Sequence, residues 1–121
     1  HERKKEDPSE GGRLLAAGVD PTGYGAAPPG LGDQRNYELL LEAGFTARQV
    51  VQIMSANGAK VLGIDDDVGT VEAGKTADLV VIEGDLEAVG NLRGTKIVFR
   101  HGIAWDSTKL LDSIRGIVGI R

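Results

Sequence analysis

The 121 residues include 14 Lys and Arg against 18 Asp and Glu, a net charge of -4, with 40% hydrophobic and 26% charged side chains. These proportions are ordinary for one folded domain and argue against a disordered tail; the acidic balance, with no basic block among aromatics, argues against nucleic acid as a partner. No cysteine is present, which removes disulfides, thiolate metal sites and cysteine nucleophiles and leaves the compartment open.

Residues 1–13 hold four acidic and four Lys or Arg side chains and almost nothing apolar, so they read as a solvated lead-in. Leu14, Leu15, Ala16, Ala17, Gly18, Val19 and Asp20 then form an apolar run ending in one carboxylate, the pattern of a buried strand that delivers a polar group at its tip. From Pro21 to Gly32 seven of twelve residues are Gly or Pro, which excludes helix and strand and lets backbone approach a ligand closely. Asp33 is expected to cap a helix through Ala43, with Tyr37, Leu40 and Leu41 on one face and Gly44 as terminator. Thr46 and Gln49 make a capping box, with Phe45 placed to staple onto Val50. Val50, Ile53, Met54 and Val61 keep helical spacing through a break expected near Asn57 and Gly58.

Past Gly63 the period becomes strand-like, with glycine turns expected at Gly69, Gly74 and Gly84. Leu79–Ile82 reads as a strand buried on both faces and is the longest uninterrupted aliphatic stretch, far short of the ~20 residues that span a bilayer. No membrane span or charged-then-apolar leader is expected. Ile97 and Phe99 alternate with Val98 and Arg100, and His101-Gly102 predicts a hairpin turn into Ile103, Ala104 and Trp105. Ser107 is expected to cap a last helix carrying Leu110, Leu111 and Ile114. The predicted segments are 1–13, 14–63, 64–106 and 107–121, in a mixed α/β chain.

Gly69-Thr70-Val71-Glu72-Ala73-Gly74-Lys75-Thr76 satisfies the nucleotide-binding expression G-x-x-x-x-G-K-[ST] in full. A phosphate cradle needs a strand feeding the loop and a helix leaving it; here Asp65, Asp66 and Asp67 precede the loop and a strand follows. The string is therefore read as two glycine turns with Lys75 solvated. The three aspartates lack the alternating ligands and twelfth-position glutamate of a calcium loop. His101 reads as an exposed turn residue, and no pair of histidines stands at metal-ligand spacing. Asp20, at a strand tip before a glycine-rich loop, is the better candidate for a ligand or base.

Several strings together carry a resemblance. Ala17-Gly18-Val19-Asp20-Pro21-Thr22-Gly23-Tyr24-Gly25, Asp33-Gln34-Arg35, Glu38-Leu39-Leu40, Asn57-Gly58-Ala59-Lys60-Val61-Leu62-Gly63 and Val68-Gly69-Thr70-Val71-Glu72-Ala73-Gly74-Lys75-Thr76-Ala77-Asp78-Leu79 resemble the last part of metal-dependent amidohydrolases of the imidazolonepropionase-like and Xaa-Pro dipeptidase-like kind. The residue before the aspartate is commonly Thr in that family; here it is Val19.

The resemblance implies an incomplete α/β architecture: the last strand-helix unit of a (β/α)8 barrel plus part of a flanking β-sandwich. A whole barrel needs ~250 residues. It also implies hydrolysis of a C–N bond in a small amide, cyclic amide or peptide-like substrate, with zinc or another divalent metal as cofactor. Asp20 is the one family site residue with a counterpart here, as metal ligand and as proton acceptor; Tyr24, Gly23 and Gly25 would line the substrate mouth. The chain alone is expected to be inactive and to hold no stable metal, its partner being the rest of the barrel or a second copy. The rival expectation is a non-catalytic β-rich interaction module.

Overall fold

The computed structural model describes residues 14–20, 28, 30–88 and 91–117, with the backbone alone for 91 and 92. Three helices come first: α1 (Leu31–Glu42), α2 (Ala47–Met54) and α3 (Ala56–Leu62). A three-stranded antiparallel sheet follows, β1 (Leu79–Ile82), β2 (Thr95–Arg100) and β3 (Ile103–Asp106), in that spatial order, with a short 3-10 helix at Asn91–Gly94 before β2. The last element is α4 (Ser107–Ile114). The order is mixed α and β, as expected, around a small open sheet.

Local signals set most boundaries. At α2 the predicted capping box forms: the Thr46 hydroxyl accepts from the Gln49 N–H at 3.3 Å, and the Gln49 side chain accepts from the Thr46 N–H at 3.0 Å. Phe45 packs against the cluster holding Val50. The β2–β3 hairpin turns on His101 and Gly102, with φ of 50° and 78°, and Arg100 pairs with Ile103 across it. Positive φ at both central residues matches the right-handed twist of the flanking strands.

Other boundaries differ from expectation. Helix α1 begins two residues before Asp33, and the Asp33 carboxylate accepts from the Gly30 N–H at 3.1 Å, so Asp33 closes the first turn from inside it. The helical break falls at Ser55, leaving Asn57 and Gly58 inside α3. Asp106 caps α4 by accepting from the Lys109 N–H, and Ser107 is its first helical residue. Strand β1 forms where predicted but is not buried on both faces: Val80 and Val81 are exposed, and Leu79 and Ile82 are half-buried. Val61 is exposed despite its helical spacing.

The larger correction concerns residues 14–19. They join no strand: the described sheet lies elsewhere, and strand conformation needs a neighbouring edge to take its N–H and C=O groups. Two asparagines serve in that capacity instead. Asn57 Nδ2 donates to the Leu15 carbonyl at 2.8 Å and Asn36 Nδ2 to the Gly18 carbonyl at 3.1 Å.

The core sits between the helices. Tyr37, Ala47, Val50, Ile53 and Ala59 are buried, with Leu40, Leu41, Met54 and Leu86 packed at the rim. Residues after β1 fasten this unit to the sheet: Tyr37 donates its hydroxyl to the Leu86 carbonyl at 2.9 Å, and the Glu87 carboxylate accepts from the Ala47 N–H at 3.0 Å, satisfying an orphan donor at the start of α2. Among the described residues no helix is long and apolar enough to cross a membrane.

Candidate functional site

Asp20 ends the described stretch 14–20. Its side chain is exposed and its φ is 45°, in the left-handed region that Asp tolerates better than most residues. His101 is the other described non-glycine residue with positive φ, and the hairpin accounts for it. Helices α1 and α3 place the segment through Asn36 and Asn57, so the carboxylate's position depends on two side chains far away in sequence. The remaining predicted site residues, Gly23, Tyr24 and Gly25, lie outside the described residues.

The nucleotide-like string folds as a self-contained loop. Lys75 Nζ donates to the Asp65 carbonyl and to the Thr70 hydroxyl, both at 2.6 Å, and stands 3.7 Å from Glu72. The Thr70 hydroxyl, with Lys75 beyond it, holds the Glu72 carboxyl below its ordinary range. Gly69, with φ of 95°, sits so close to α3 that a Cβ there would stand 2.6 Å from Ala59 Cβ. Lys75 is thus largely covered, where the sequence predicts it solvated: its ammonium is turned into its own loop. Strand β1 follows the loop where a phosphate site needs a helix.

Two charged clusters were not visible in the sequence. Glu38 is buried in α1, its carboxylate accepting from Arg93 Nε at 3.0 Å and from Arg35 Nη1 at 3.1 Å; Arg35 also bridges to Glu42 at 2.7 Å. Arg93 first, then Arg35, hold the Glu38 carboxyl below the usual range. This network ties α1 to the 3-10 helix. Asp78 accepts from the His101 N–H at 2.7 Å and from Arg100, and these lower its pKa in that order, latching the hairpin tip onto the start of β1. Asn57 was equally overlooked, although its spacing from Val50 and Ile53 places a polar residue on the apolar face of the helical run, a signal that it is buried and bonded.

An apolar groove of about 390 Å³ runs between the helices and the sheet, bordered by Tyr37, Met54, Leu79 and Leu86. Asp20 does not line it. Among the described residues no group of three or more His, Cys, Asp or Glu side chains is arranged to hold a metal ion.

Comparison with known proteins supplies what geometry alone does not. Residues 16–111 match the model of the Amidohydrolase family. The chain belongs to the amidohydrolase family. This amidohydrolase chain is 32% identical over 85 residues to a 5-methylthioadenosine/S-adenosylhomocysteine deaminase of Moorella thermoacetica, across 58% of the chain and 19% of that protein. It superimposes with a TM-score of 0.68 on a Xaa-Pro dipeptidase solved with methionine bound in its active site, at 28% identity over 79% of the chain and 23% of the dipeptidase. A Thermotoga maritima amidohydrolase gives a TM-score of 0.54 at 26% identity, over 67% of the chain and 20% of that structure. The amidohydrolase chain described here therefore spans less than a quarter of the length of these relatives. The loop around Lys75 lies inside the matched region.

Proposed function

We propose that this chain is the C-terminal part of a metal-dependent hydrolase that cleaves C–N bonds in small amide, cyclic amide or peptide-like substrates, and that Asp20 is its proton-transferring carboxylate. The observation that carries the proposal is the family match over 16–111, which opens on the segment ending at Asp20, where a non-glycine backbone is held at positive φ. Unusual backbone geometry of that kind concentrates at functional sites. The two named relatives, a deaminase and a dipeptidase, both bear names that denote breaking a carbon–nitrogen bond.

In the complete enzyme residues 14–20 would be the last barrel strand and the β1–β3 sheet part of the flanking sandwich. Asp20 accepts a proton from water as its oxygen attacks the carbonyl carbon, then returns that proton to the departing nitrogen as the C–N bond breaks. Tyr24, Gly23 and Gly25 would border the substrate. Zinc or another divalent metal would supply polarisation in the complete enzyme, but a catalytic zinc takes about three protein ligands, and among the described residues Asp20 stands outside any such donor set. The chain by itself is not proposed to hold metal or to turn over substrate.

A non-catalytic interaction module is the second reading, favoured by the exposure of β3 and α4, where Trp105, Leu110 and Leu111 face outward. The deciding experiment is turnover of N-acyl amino acids, prolyl dipeptides and cyclic amides by the full-length protein, with Asp20→Asn as the comparison. Absence of hydrolysis across that panel by metal-loaded full-length protein would favour the module.

A further inference from the structure

We propose that Asn57-Gly58 is a deamidation site gated by the fold, and that its conversion to aspartate or isoaspartate releases residues 14–20 from α3. The proposal stands independently of the role given above to Asp20. The chain has three asparagines, followed by Tyr37, Gly58 and Leu92. The backbone nitrogen after an asparagine can attack the side-chain amide, and glycine, with no Cβ, leaves that nitrogen the least hindered of the three. The fold itself does not require a glycine there. Gly58 lies inside α3, its φ is not positive, and a Cβ added to it would meet no atom within 4 Å. Inside a helix glycine is destabilising relative to alanine.

In the reaction the Gly58 nitrogen gives up its proton and bonds to Asn57 Cγ; the Cγ–Nδ2 bond breaks, and ammonia leaves with that proton, closing a succinimide ring. Water then opens the ring at either carbonyl, its hydroxyl going to the carbonyl carbon and its proton to the departing nitrogen, which yields aspartate or isoaspartate. The net change is one water taken up and one ammonia released. Two features hold the reaction back in the folded chain. Ring closure needs Asn57 to leave the helical ψ of α3, and Asn57 is 1% exposed with Nδ2 committed to the Leu15 carbonyl at 2.8 Å. Helix α3 is seven residues long, too short to stand on propensity without packing, so local opening supplies the reactive conformer.

Conversion removes the donor that holds Leu15. Asn57 Oδ1 has no partner, so the Nδ2 bond is what this side chain contributes to the segment. A carboxylate in its place is acceptor-only and would face the Leu15 carbonyl oxygen at a buried position, where an unpaired charge is costly. Isoaspartate also adds a methylene to the backbone of α3. The segment then keeps the exposed Asn36 bond to the Gly18 carbonyl.

Peptide mapping by mass spectrometry reads the site and its gate together, on the full-length protein incubated at mildly alkaline pH with and without denaturing urea. In urea Asn57 should convert ahead of Asn36 and Asn91, to a mixture of aspartate and isoaspartate, and Gly58→Ala should hold Asn57 to the pace of the other two. Without urea conversion at Asn57 should be at least about tenfold slower, set by the population of the opened helix. Conversion of Asn57 in urea no faster than that of Asn36 and Asn91 overturns the site, and equal rates with and without urea overturn the gate. The release is read by amide exchange in Asn57→Asp, one of the two products: exchange across residues 14–20 should rise about tenfold while that across β1 and β2 stays unchanged. Asn57→Ala removes the donor without burying a charge and decides the matter if Asn57→Asp does not fold. Unchanged exchange across 14–20 in folded Asn57→Asp, or in Asn57→Ala where the aspartate variant fails to fold, overturns the release.

Discussion

Lys75 donates to the carbonyl oxygen of Asp65 at 2.6 Å, ten residues upstream, and so closes the loop whose spelling suggests a phosphate cradle. Its second donor goes to Thr70, leaving the ammonium committed to holding two turns together. Lys75→Ala should therefore cost about 1–2 kcal/mol of stability through the lost charge-assisted bonds and leave nucleotide affinity where it was, at none. Isothermal titration with ATP and magnesium, alongside denaturant unfolding of both chains, checks the pair. Micromolar ATP binding that disappears in the variant would reverse the assignment.

Gly69 belongs to the same loop for a different reason. Its φ of 95° and the 2.6 Å that would separate a new Cβ from Ala59 Cβ act together in Gly69→Ala. Overpacking and left-handed strain should together destabilise the chain by about 2–4 kcal/mol. Gly74→Ala is the control: its φ of 94° carries the strain, but no atom lies within 4 Å of the added methyl, so its cost should be smaller. Thermal unfolding of the two variants side by side reads the difference.

Glu38 makes part of the fold sensitive to acid. Because Arg93 and Arg35 hold its carboxyl below the ordinary value, the unfolded chain takes up the proton first as pH falls. The stability it contributes is present above the unfolded value of about 4.3 and drains away as pH drops from there through the folded value. Glu72, Asp78 and Glu83 shift in the same direction, so the total slope is shared. Arg93→Ala should flatten the acid limb of a plot of unfolding midpoint against pH below about 4.3, with the full cost of the variant present at neutral pH. An unchanged slope would mean that the Arg93 bridge contributes nothing in solution.

Signals confined to a few neighbouring residues translated well from sequence into structure. The Thr46 and Gln49 box and the His101-Gly102 turn depend on contacts within three or four residues, which spelling alone can dictate. Cap positions shifted when a nearby residue competed, as Asp106 did with Ser107. What depended on distant partners was not legible: the exposure of Val80 and Val61, the missing pairing of residues 14–19, and the Glu38–Arg93 bridge, whose partners stand 55 residues apart. Of the site, Asp20 was marked by its place after an apolar run, whereas Asn36 and Asn57, which hold that run, carry no local sign of what they reach. The family resemblance succeeded because it matched many strings at once.

Asp20→Asn tests the proposed chemistry with little collateral damage. Asparagine is close in shape to aspartate and is among the few residues that accept the left-handed backbone observed here, with φ of 45°. The substitution therefore keeps the segment's geometry and the bonds from Asn36 and Asn57, and removes only the basic oxygen that would accept water's proton. In full-length enzyme turnover should fall by at least the ~100-fold associated with losing a general base, while metal content measured by elemental analysis should fall less steeply, because an amide oxygen remains a weaker donor. Asp20→Gly separates the two roles of the position: it relieves any backbone strain and so should be neutral or better in stability, yet it should be as inactive as the asparagine variant. A glycine variant more active than Asp20→Asn would assign the importance of this position to its backbone, and parental turnover in Asp20→Asn would reduce Asp20 to a turn residue.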